Sequence, residues 1–148
     1  QLAQVLSQLA VAMDFEVIVT DTRREVLDQW AGPPVPLIEG LPDDVIATHI
    51  TDDQSLVITL THDPRIDDMA LLEALDSRAW YVGALGSLRT TSARRERLSQ
   101  LGLKTEQLER LRAPVGLDIG SKTPWEIAVA IMAEITREQK ARNNVFTE

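Results

Sequence analysis

The sequence predicts an α/β protein with a doubly wound, mostly parallel sheet and helices on both faces, a Rossmann-like arrangement. Three features predict it: short runs rich in β-branched residues recur along the chain, segments of helical periodicity separate them, and the runs lack the polar alternation of a half-exposed sheet. Strands that are apolar on both faces need a layer of helices on each side. We therefore expect a parallel sheet between two helical layers.

The first forty residues predict a helix, a buried strand and an irregular segment. The run at 15–20 (FEVIVT) is β-branched and ends at Asp21, which predicts a strand. Prolines recur between Gly32 and Pro42, which excludes a regular helix there and leaves an extended piece at 35–38. The apolar stripe of the opening helix consists of Leu2, Val5, Leu6, Leu9 and Met13.

Two further strands and a helix follow in the middle of the chain. The runs at 55–61 (SLVITLT) and 80–85 predict buried strands, and the apolar spacing of 66–75 predicts a helix between them. We expect Asp67 and Asp68 in the first turn of that helix, where acidic residues complement the helix dipole.

The last third predicts mostly helix. Residues 89–101 form a helix ended by Gly102, a shorter helix covers 106–111, and a short strand covers 115–117. The final helix is the best defined, because Thr123 and Glu126 have the spacing of a capping box around Pro124 at the first helical position. Its apolar stripe is Ile127, Ile131 and Ile135, and we expect Trp80, Trp125 and Met132 in the core.

Composition restricts the class of protein. A chain of 148 residues that is 44% hydrophobic predicts a single domain spanning residues 1–148. Its net charge of -8 argues against nucleic acid or an anionic membrane as a partner. Without cysteine the chain has no disulfide and no thiol nucleophile, and it shows no membrane-spanning run and no signal peptide. We expect a cytoplasmic protein.

The start of the chain lacks a feature that dinucleotide-binding sheets have. Such sheets open with a strand and a glycine-rich turn, about 20 residues ahead of an acidic residue that meets a ribose hydroxyl. Asp21 matches the acid, but the chain opens directly in the following helix. We therefore expect that this is a fragment of a longer protein, with the first strand and glycine loop upstream. Another chain, for example the second copy in a homodimer, could fill the unpaired position.

Two glycine loops beside helix starts predict a site for a phosphate-bearing ligand, because free N–H groups and the helix dipole favour negative charge there. The alternative is that the glycines simply let a strand turn into a helix. Arginines follow the first loop; Arg89 is nearest the helix start, whereas Arg94, Arg95 and Arg97 fit a solvated helix face. The loop residues are Gly83, Gly86 and Ser87, and Gly116, Gly120 and Ser121.

Polar residues that follow the predicted strands are expected to join this site. Ligands of open α/β sheets bind beyond the carboxyl ends of the strands, where Asp21, Thr61, His62, Asp63 and the first glycine loop would lie. Each has a second interpretation: Asp21 and Asp63 could cap turns or helices rather than hold ribose or a cation, and His62 could be structural rather than a proton shuttle. We predict no catalytic residue and no metal ligand.

Four motifs together resemble the carboxy-terminal Rossmann-like domain of the XdhC/CoxI proteins. They are THD at 61–63, YVGALGS at 81–87, PVGLDIGSKTPWEIA at 114–128 and AEI at 133–135. The resemblance covers nearly the whole chain, with the motifs in the expected order. Leu88 departs from it, because the family often has another arginine after the GS pair.

The resemblance implies an accessory factor that binds molybdenum cofactor (molybdopterin) and assists its sulfuration and insertion into a molybdenum hydroxylase such as xanthine dehydrogenase. The implied partners are that hydroxylase and a sulfurase. Asp118 would then bind a pterin amine or hold its own turn. Such a protein is a non-catalytic chaperone rather than an enzyme. Two alternatives stay open: a nucleotide-binding oxidoreductase that uses NAD(P), and an interaction module that docks a partner enzyme.

Overall fold

The computed structural model describes residues 1–147, with side chains as far as Asn143; Glu148, the last residue of the predicted domain, lies outside the described residues. The chain forms two compact units. The first contains Gln1–Ile18, Trp30–Pro36 and the chain from Gly116 onward, and the second contains Val19–Gln29 and Leu37–Val115. The expectation of a single domain stays a prediction.

Helices and short strands alternate along the described chain. The helices are α1 Leu2–Ala12, α2 Arg24–Asp28, α3 Pro42–His49, α4 Pro64–Leu75, α5 Leu88–Gln100, α6 Thr105–Leu108 and α7 Pro124–Thr147. The strands are β1 Val19–Asp21, β2 Leu37–Glu39, β3 Leu56–Thr59, β4 Tyr81–Ala84 and β5 Leu111–Arg112. No helix within residues 1–147 is long and apolar enough to cross a bilayer.

All five strands lie in the second unit and pair only in parallel. β1 pairs with β2, and a separate ladder has the order β3-β4-β5. Parallel strands joined through helices confirm the predicted α/β, Rossmann-like fold. Hydrogen bonding divides the strands into a two-stranded and a three-stranded sheet, whereas the sequence predicted one sheet.

The core of the second unit surrounds β4. Every residue of β4 is buried, because this strand has a hydrogen-bonded neighbour on each side. Leu71 and Leu75 of α4 and Leu98 of α5 are fully buried in the same apolar cluster. At about 25 cal/mol per Å² of apolar surface, such side chains dominate the stability of the unit. The loop that follows β4 is therefore attached to a buried strand that is hydrogen-bonded on both sides.

The structure corrects three predicted strands. The run at 15–20 pairs only from Val19 onward, and the extended piece at 35–38 is strand Leu37–Glu39. The last strand is Leu111–Arg112, not 115–117, because Gly116 has a φ of 99° that ends any extended run. The short helix predicted at 106–111 ends at Leu108, and Leu111 begins β5 instead. This strand was missed because charged residues flank its single buried leucine.

Two helices were not predicted. α3 begins at Pro42, which the sequence analysis grouped with the prolines that break a helix. Proline is tolerated at the first helical position because the N–H it lacks would have no partner inside the helix. α2 has only five residues, too few to show a helical period.

In the first unit, α1 packs against α7. The predicted stripe of α7 is confirmed by Ile131 and Ile135, which are fully buried, and Met132 is buried as expected. Trp125 was placed wrongly in the core: its side chain is 48% exposed, because it lies in the first turn of α7 away from that stripe.

Candidate functional site

The loops that follow β3 and β4 leave the same edge of the three-stranded sheet. Thr59 and Ala84, the last residues of these strands, are paired in register. The Thr61–Asp63 segment follows β3, and the Leu85–Ser87 segment follows β4. Since the carboxyl ends of parallel strands are where open α/β sheets bind ligands, these two loops form the candidate site of the second unit.

The start of α5 is capped by hydroxyl groups alone. Ser87 Oγ accepts a hydrogen bond from Thr90 N at 3.1 Å, and Thr90 Oγ1 accepts one from Ser87 N at 2.8 Å. This is a capping box without a carboxylate. A Cβ at Gly86 would lie 2.8 Å from Thr90 Oγ1, so glycine leaves room for the cap.

Several donors at this helix start have no partner within the described residues. They are the N–H groups of Gly86, Leu88 and Arg89 and the exposed guanidinium of Arg89. Free N–H groups in the first turn of a helix carry partial positive charge. The start of α5 is therefore an electropositive, solvent-exposed surface suited to an anion.

Gly83 lies inside the sheet. It is a buried residue of β4, and a Cβ there would come within 2.6 Å of the Val115 side chain. Val115 N also donates to the carbonyl of Ala84 at 3.0 Å. Gly83 thus lets the chain after β5 pack across the end of β4, which shapes the loop without presenting a group to a ligand.

Within the Thr61–Asp63 segment, two residues are engaged locally. Thr61 Oγ1 donates to Asp67 Oδ1 at 2.8 Å and accepts from Asp63 N at 3.1 Å. Asp63 caps α4 by accepting from Arg65 N, and the hydrogen bonds from Arg65 hold the pKa of Asp63 below its usual value. His62 is exposed and makes no hydrogen bond or ion pair within the structure as described.

Asp21 closes a turn at the end of β1. Its carboxylate accepts from the backbone N and the guanidinium of Arg23 at 2.9 and 3.1 Å. Burial alone would raise the pKa of Asp21, but these hydrogen bonds outweigh it and lower the pKa. A ribose hydroxyl at this carboxylate would therefore compete with Arg23.

The arginines of α5 do not form the solvated face that their spacing predicted. Arg94 is only 6% exposed, and its Nη2 lies 3.6 Å from Asp67 Oδ2. Arg97 donates to Asp68 at 2.8 Å, while Arg95 donates to the carbonyls of Leu108 and Leu111. Arg89 is the only arginine of this helix without a partner in the described chain.

This buried ion-pair cluster was missed by sequence reasoning. Asp67 lies in the first turn of α4, as predicted, but Asp63 rather than Asp67 or Asp68 caps the helix. The carboxylates of Asp67 and Asp68 pair with Arg94 of α5 instead. Burial raises the pKa of Asp67, opposed by the hydrogen bond from Thr61 and the charge of Arg94. A usable signal was that Arg94 falls on the buried stripe of α5, between Thr91 and Leu98.

The second glycine loop belongs to the first unit and packs on α7. A Cβ at Gly116 would lie 3.2 Å from the backbone of Ala130 and Ile131, and Gly116 also has a positive φ. Gly120 has a φ of 78° with open space around it, and Asp118 is exposed. Positive φ angles, and at Gly116 also the close approach to α7, therefore account for these glycines.

The start of α7 carries its own negative charge. Glu126 Oε1 accepts from the N–H groups of Lys122 and Thr123 at 2.9 and 3.0 Å, and Thr123 Oγ1 accepts from Glu126 N at 3.2 Å. The predicted capping box is confirmed. These backbone hydrogen bonds lower the pKa of Glu126. Ser121 Oγ donates to the carbonyl of Glu126 at 3.1 Å.

Beside this cap is an open depression of about 260 Å³. Its lining is mainly apolar, with Trp125 and Val129 one turn apart on α7. The lining residues are Ile119, Gly120, Ser121, Trp125, Glu126 and Val129. Across residues 1–147, the structure contains no grouping of three or more histidine, aspartate or glutamate side chains that could hold a metal ion.

Parallel strands joined through helices and an electropositive helix start after β4 define a Rossmann-like domain with a candidate anion site. A family model described as the XdhC Rossmann domain matches residues 1–135. The chain belongs to this family, which confirms the resemblance found from the four motifs.

Three curated relatives are similar to the chain. YqeB of Escherichia coli K12, described as uncharacterized, is 32% identical over 133 residues, 88% of this chain and 24% of YqeB. PaoD of the same organism, named as a molybdenum cofactor insertion chaperone, is 34% identical over 84 residues, 57% of this chain and 26% of PaoD. A Bacillus subtilis protein, named as a probable subunit of xanthine dehydrogenase, is 29% identical over 136 residues, 91% of this chain and 39% of that protein.

A solved structure shows the same fold. The crystal structure of a Bacillus halodurans protein described as a xanthine dehydrogenase superposes with a TM-score of 0.80 at 27% identity, covering 95% of this chain and 40% of that one. The chain thus spans less than half the length of each of these relatives.

Proposed function

We propose that this chain is the cofactor-holding domain of an accessory protein that binds molybdenum cofactor and assists its insertion into a hydroxylase of the xanthine dehydrogenase type. The observation that carries the proposal is the family match over residues 1–135, together with the similarity of the chain to a relative named as a molybdenum cofactor insertion chaperone. The function requires binding and release of a ligand without chemistry on it.

The start of α5 fits the phosphate end of such a cofactor. Gly86, Leu88 and Arg89 offer N–H donors, and the Arg89 guanidinium adds an exposed positive charge. Bonds from charged donors to an anion contribute about 1.5–3 kcal/mol each, which is enough for Arg89 to change affinity by an order of magnitude or more. The Ser87 cap holds the turn in place.

The other predicted residues have lesser roles in this proposal. His62, which is exposed in the same unit as the start of α5, is a proposed contact for the polar pterin. Thr61, Asp63, Gly83 and Gly116 shape the loops. We also propose that a partner sulfurase adds sulfur to the bound cofactor, and that two copies of the chain pair.

Calorimetric titration with isolated molybdenum cofactor, with NADH and with NADPH tests the function. We expect binding of the molybdenum cofactor alone. Binding of a nicotinamide instead would replace the proposal with the oxidoreductase alternative, and binding of none would leave the interaction module.

A pair of variants locates the site. Arg89→Ala and Lys122→Ala each remove one exposed cation beside a helix start. We expect Arg89→Ala to weaken cofactor binding about tenfold or more and Lys122→Ala to change it less than about twofold, because the carboxylate of Glu126 already occupies the start of α7. Equal effects of the two substitutions would contradict a phosphate site at α5.

A further inference from the structure

The two loops of the candidate site are joined beneath the surface by the Arg94–Asp67 ion pair. Arg94 Nη1 donates to the carbonyl of Leu85 at 3.2 Å, and Arg94 Nη2 lies 3.6 Å from Asp67 Oδ2. Asp67 in turn accepts from Thr61 Oγ1 at 2.8 Å. A continuous chain of polar contacts therefore runs from one loop to the other.

This chain of contacts is inaccessible to solvent at its centre. Asp67 is 1% exposed and Arg94 is 6% exposed. Charged pairs in such surroundings interact more strongly than at a surface, and a remaining charge without its partner is costly. Separating Arg94 from Asp67 is consequently costly.

The contact with Leu85 has a direct consequence for the ligand surface. The Leu85–Gly86 peptide bond is trans, since Ala113–Pro114 is the only cis bond in the described chain. In a trans peptide the N–H points opposite to the C=O. Because the carbonyl points to the buried guanidinium of Arg94, the N–H of Gly86 points away from it, on the exposed side of the loop.

We propose that Arg94 is a positioning residue that, together with Asp67, fixes the Leu85–Gly86 peptide so that the Gly86 N–H faces the anion. A guanidinium bound to the carbonyl also polarises the peptide and strengthens its N–H as a donor. The same cluster makes the Thr61–Asp63 loop and the Leu85–Ser87 loop move together. The identity of the anion rests on the proposed function; the coupling of the loops does not.

Nitrogen-15 NMR and amide exchange of the full chain test the coupling directly. Arg94→Met should shift the Gly86 amide nitrogen, because that nitrogen shares its peptide bond with the carbonyl that Arg94 binds. It should also speed exchange of the Asp63 amide about tenfold, because Asp63 N donates to Thr61 Oγ1 in the other loop. Arg94→Lys, which keeps the charge, should bring the chemical shift of the Gly86 amide nitrogen part of the way back to its wild-type value.

Arg95→Met is the matched control, since this neighbour on α5 binds the carbonyls of Leu108 and Leu111 and neither loop. It should leave Gly86 and Asp63 unchanged. If Arg94→Met does not fold, Thr61→Val keeps both buried charges and should still shift the Gly86 amide. A Gly86 amide that does not respond to the change in the other loop would overturn the coupling.

Titration with inorganic phosphate and with isolated molybdenum cofactor then separates the two proposals. If wild-type protein binds the cofactor, Arg94→Met should weaken it at least tenfold, with Arg94→Lys intermediate; full affinity in a variant with a shifted Gly86 amide would overturn the positioning role. If wild-type protein binds neither probe, the proposed function and the anion-positioning role both fail, while the NMR response of the two loops still decides the coupling.

Discussion

The starts of α5 and α7 have the same sequence signature and opposite electrostatics. Both follow a glycine-containing loop with a serine, and both are closed by a capping box. At α5 the third helical residue is Thr90, so the cap consists of hydroxyls. At α7 the third helical residue is Glu126, and its carboxylate accepts the N–H groups of Lys122 and Thr123.

A glycine loop before a helix can therefore serve as an anion site only if the helix does not supply its own anion. A carboxylate at the third position neutralises the positive end of the helix dipole and uses its donors. Three experiments test this comparison, beginning with the glycines that shape the second loop.

Gly116→Ala should lower the free energy of unfolding by about 2–4 kcal/mol, because alanine there combines a positive φ with a Cβ 3.2 Å from the α7 backbone. Gly120→Ala is the matched control: it has a positive φ without any neighbour within 4 Å, and should cost about 1 kcal/mol. Urea denaturation measures both. Equal losses of unfolding free energy in the two variants would show that Gly116 is needed only for its positive φ and not for close packing on α7.

Whether a feature of the fold or of the candidate site could be predicted depends on how far apart in the sequence the interacting residues are. The α7 cap was predicted correctly because Thr123 and Glu126 are three residues apart, and the buried strand β4 because its apolar run is continuous. β3 also lies within its predicted run, but only Thr59 in it is buried. The pairing of Arg94 with Asp67 was not, because a helical arginine looks alike whether it faces water or an aspartate on another helix. Arg89 was favoured for its place near the helix start, and the structure adds that it has no partner among the described residues.

Replacing Thr90, the third residue of α5, by the glutamate that α7 has at this position should give the start of α5 the electrostatics of the start of α7. Thr90→Glu places a carboxylate where it can accept the N–H of Ser87, which should stabilise α5 by a few tenths to about 1 kcal/mol. The same carboxylate should weaken binding of molybdenum cofactor about tenfold, since its charge repels the phosphate and, as Glu126 does with Lys122 N at α7, it can accept the N–H of Gly86.

Thr90→Gln controls for the size of that substitution, because its amide can complete the capping box without a negative charge. Affinities are measured by calorimetry and stabilities by urea denaturation on the same samples. A Thr90→Glu variant that binds as tightly as Thr90→Gln would show that the open charge at α5 is not what attracts the ligand.

The smallest expected effect is the pH dependence that Glu126 contributes. The backbone hydrogen bonds of the α7 cap lower its pKa below the ordinary value of 4.5, so the unfolded chain takes up a proton at a higher pH than the folded one. Its stabilisation is fully present above 4.5 and is lost as the pH falls through the lower, folded pKa. The stability difference between wild-type and Glu126→Gln should therefore be constant at neutral pH and shrink in acid. If the stability difference between wild-type and Glu126→Gln instead stays constant into acid, the α7 start does not depend on an internal anion, and the contrast with α5 reduces to Arg89 alone.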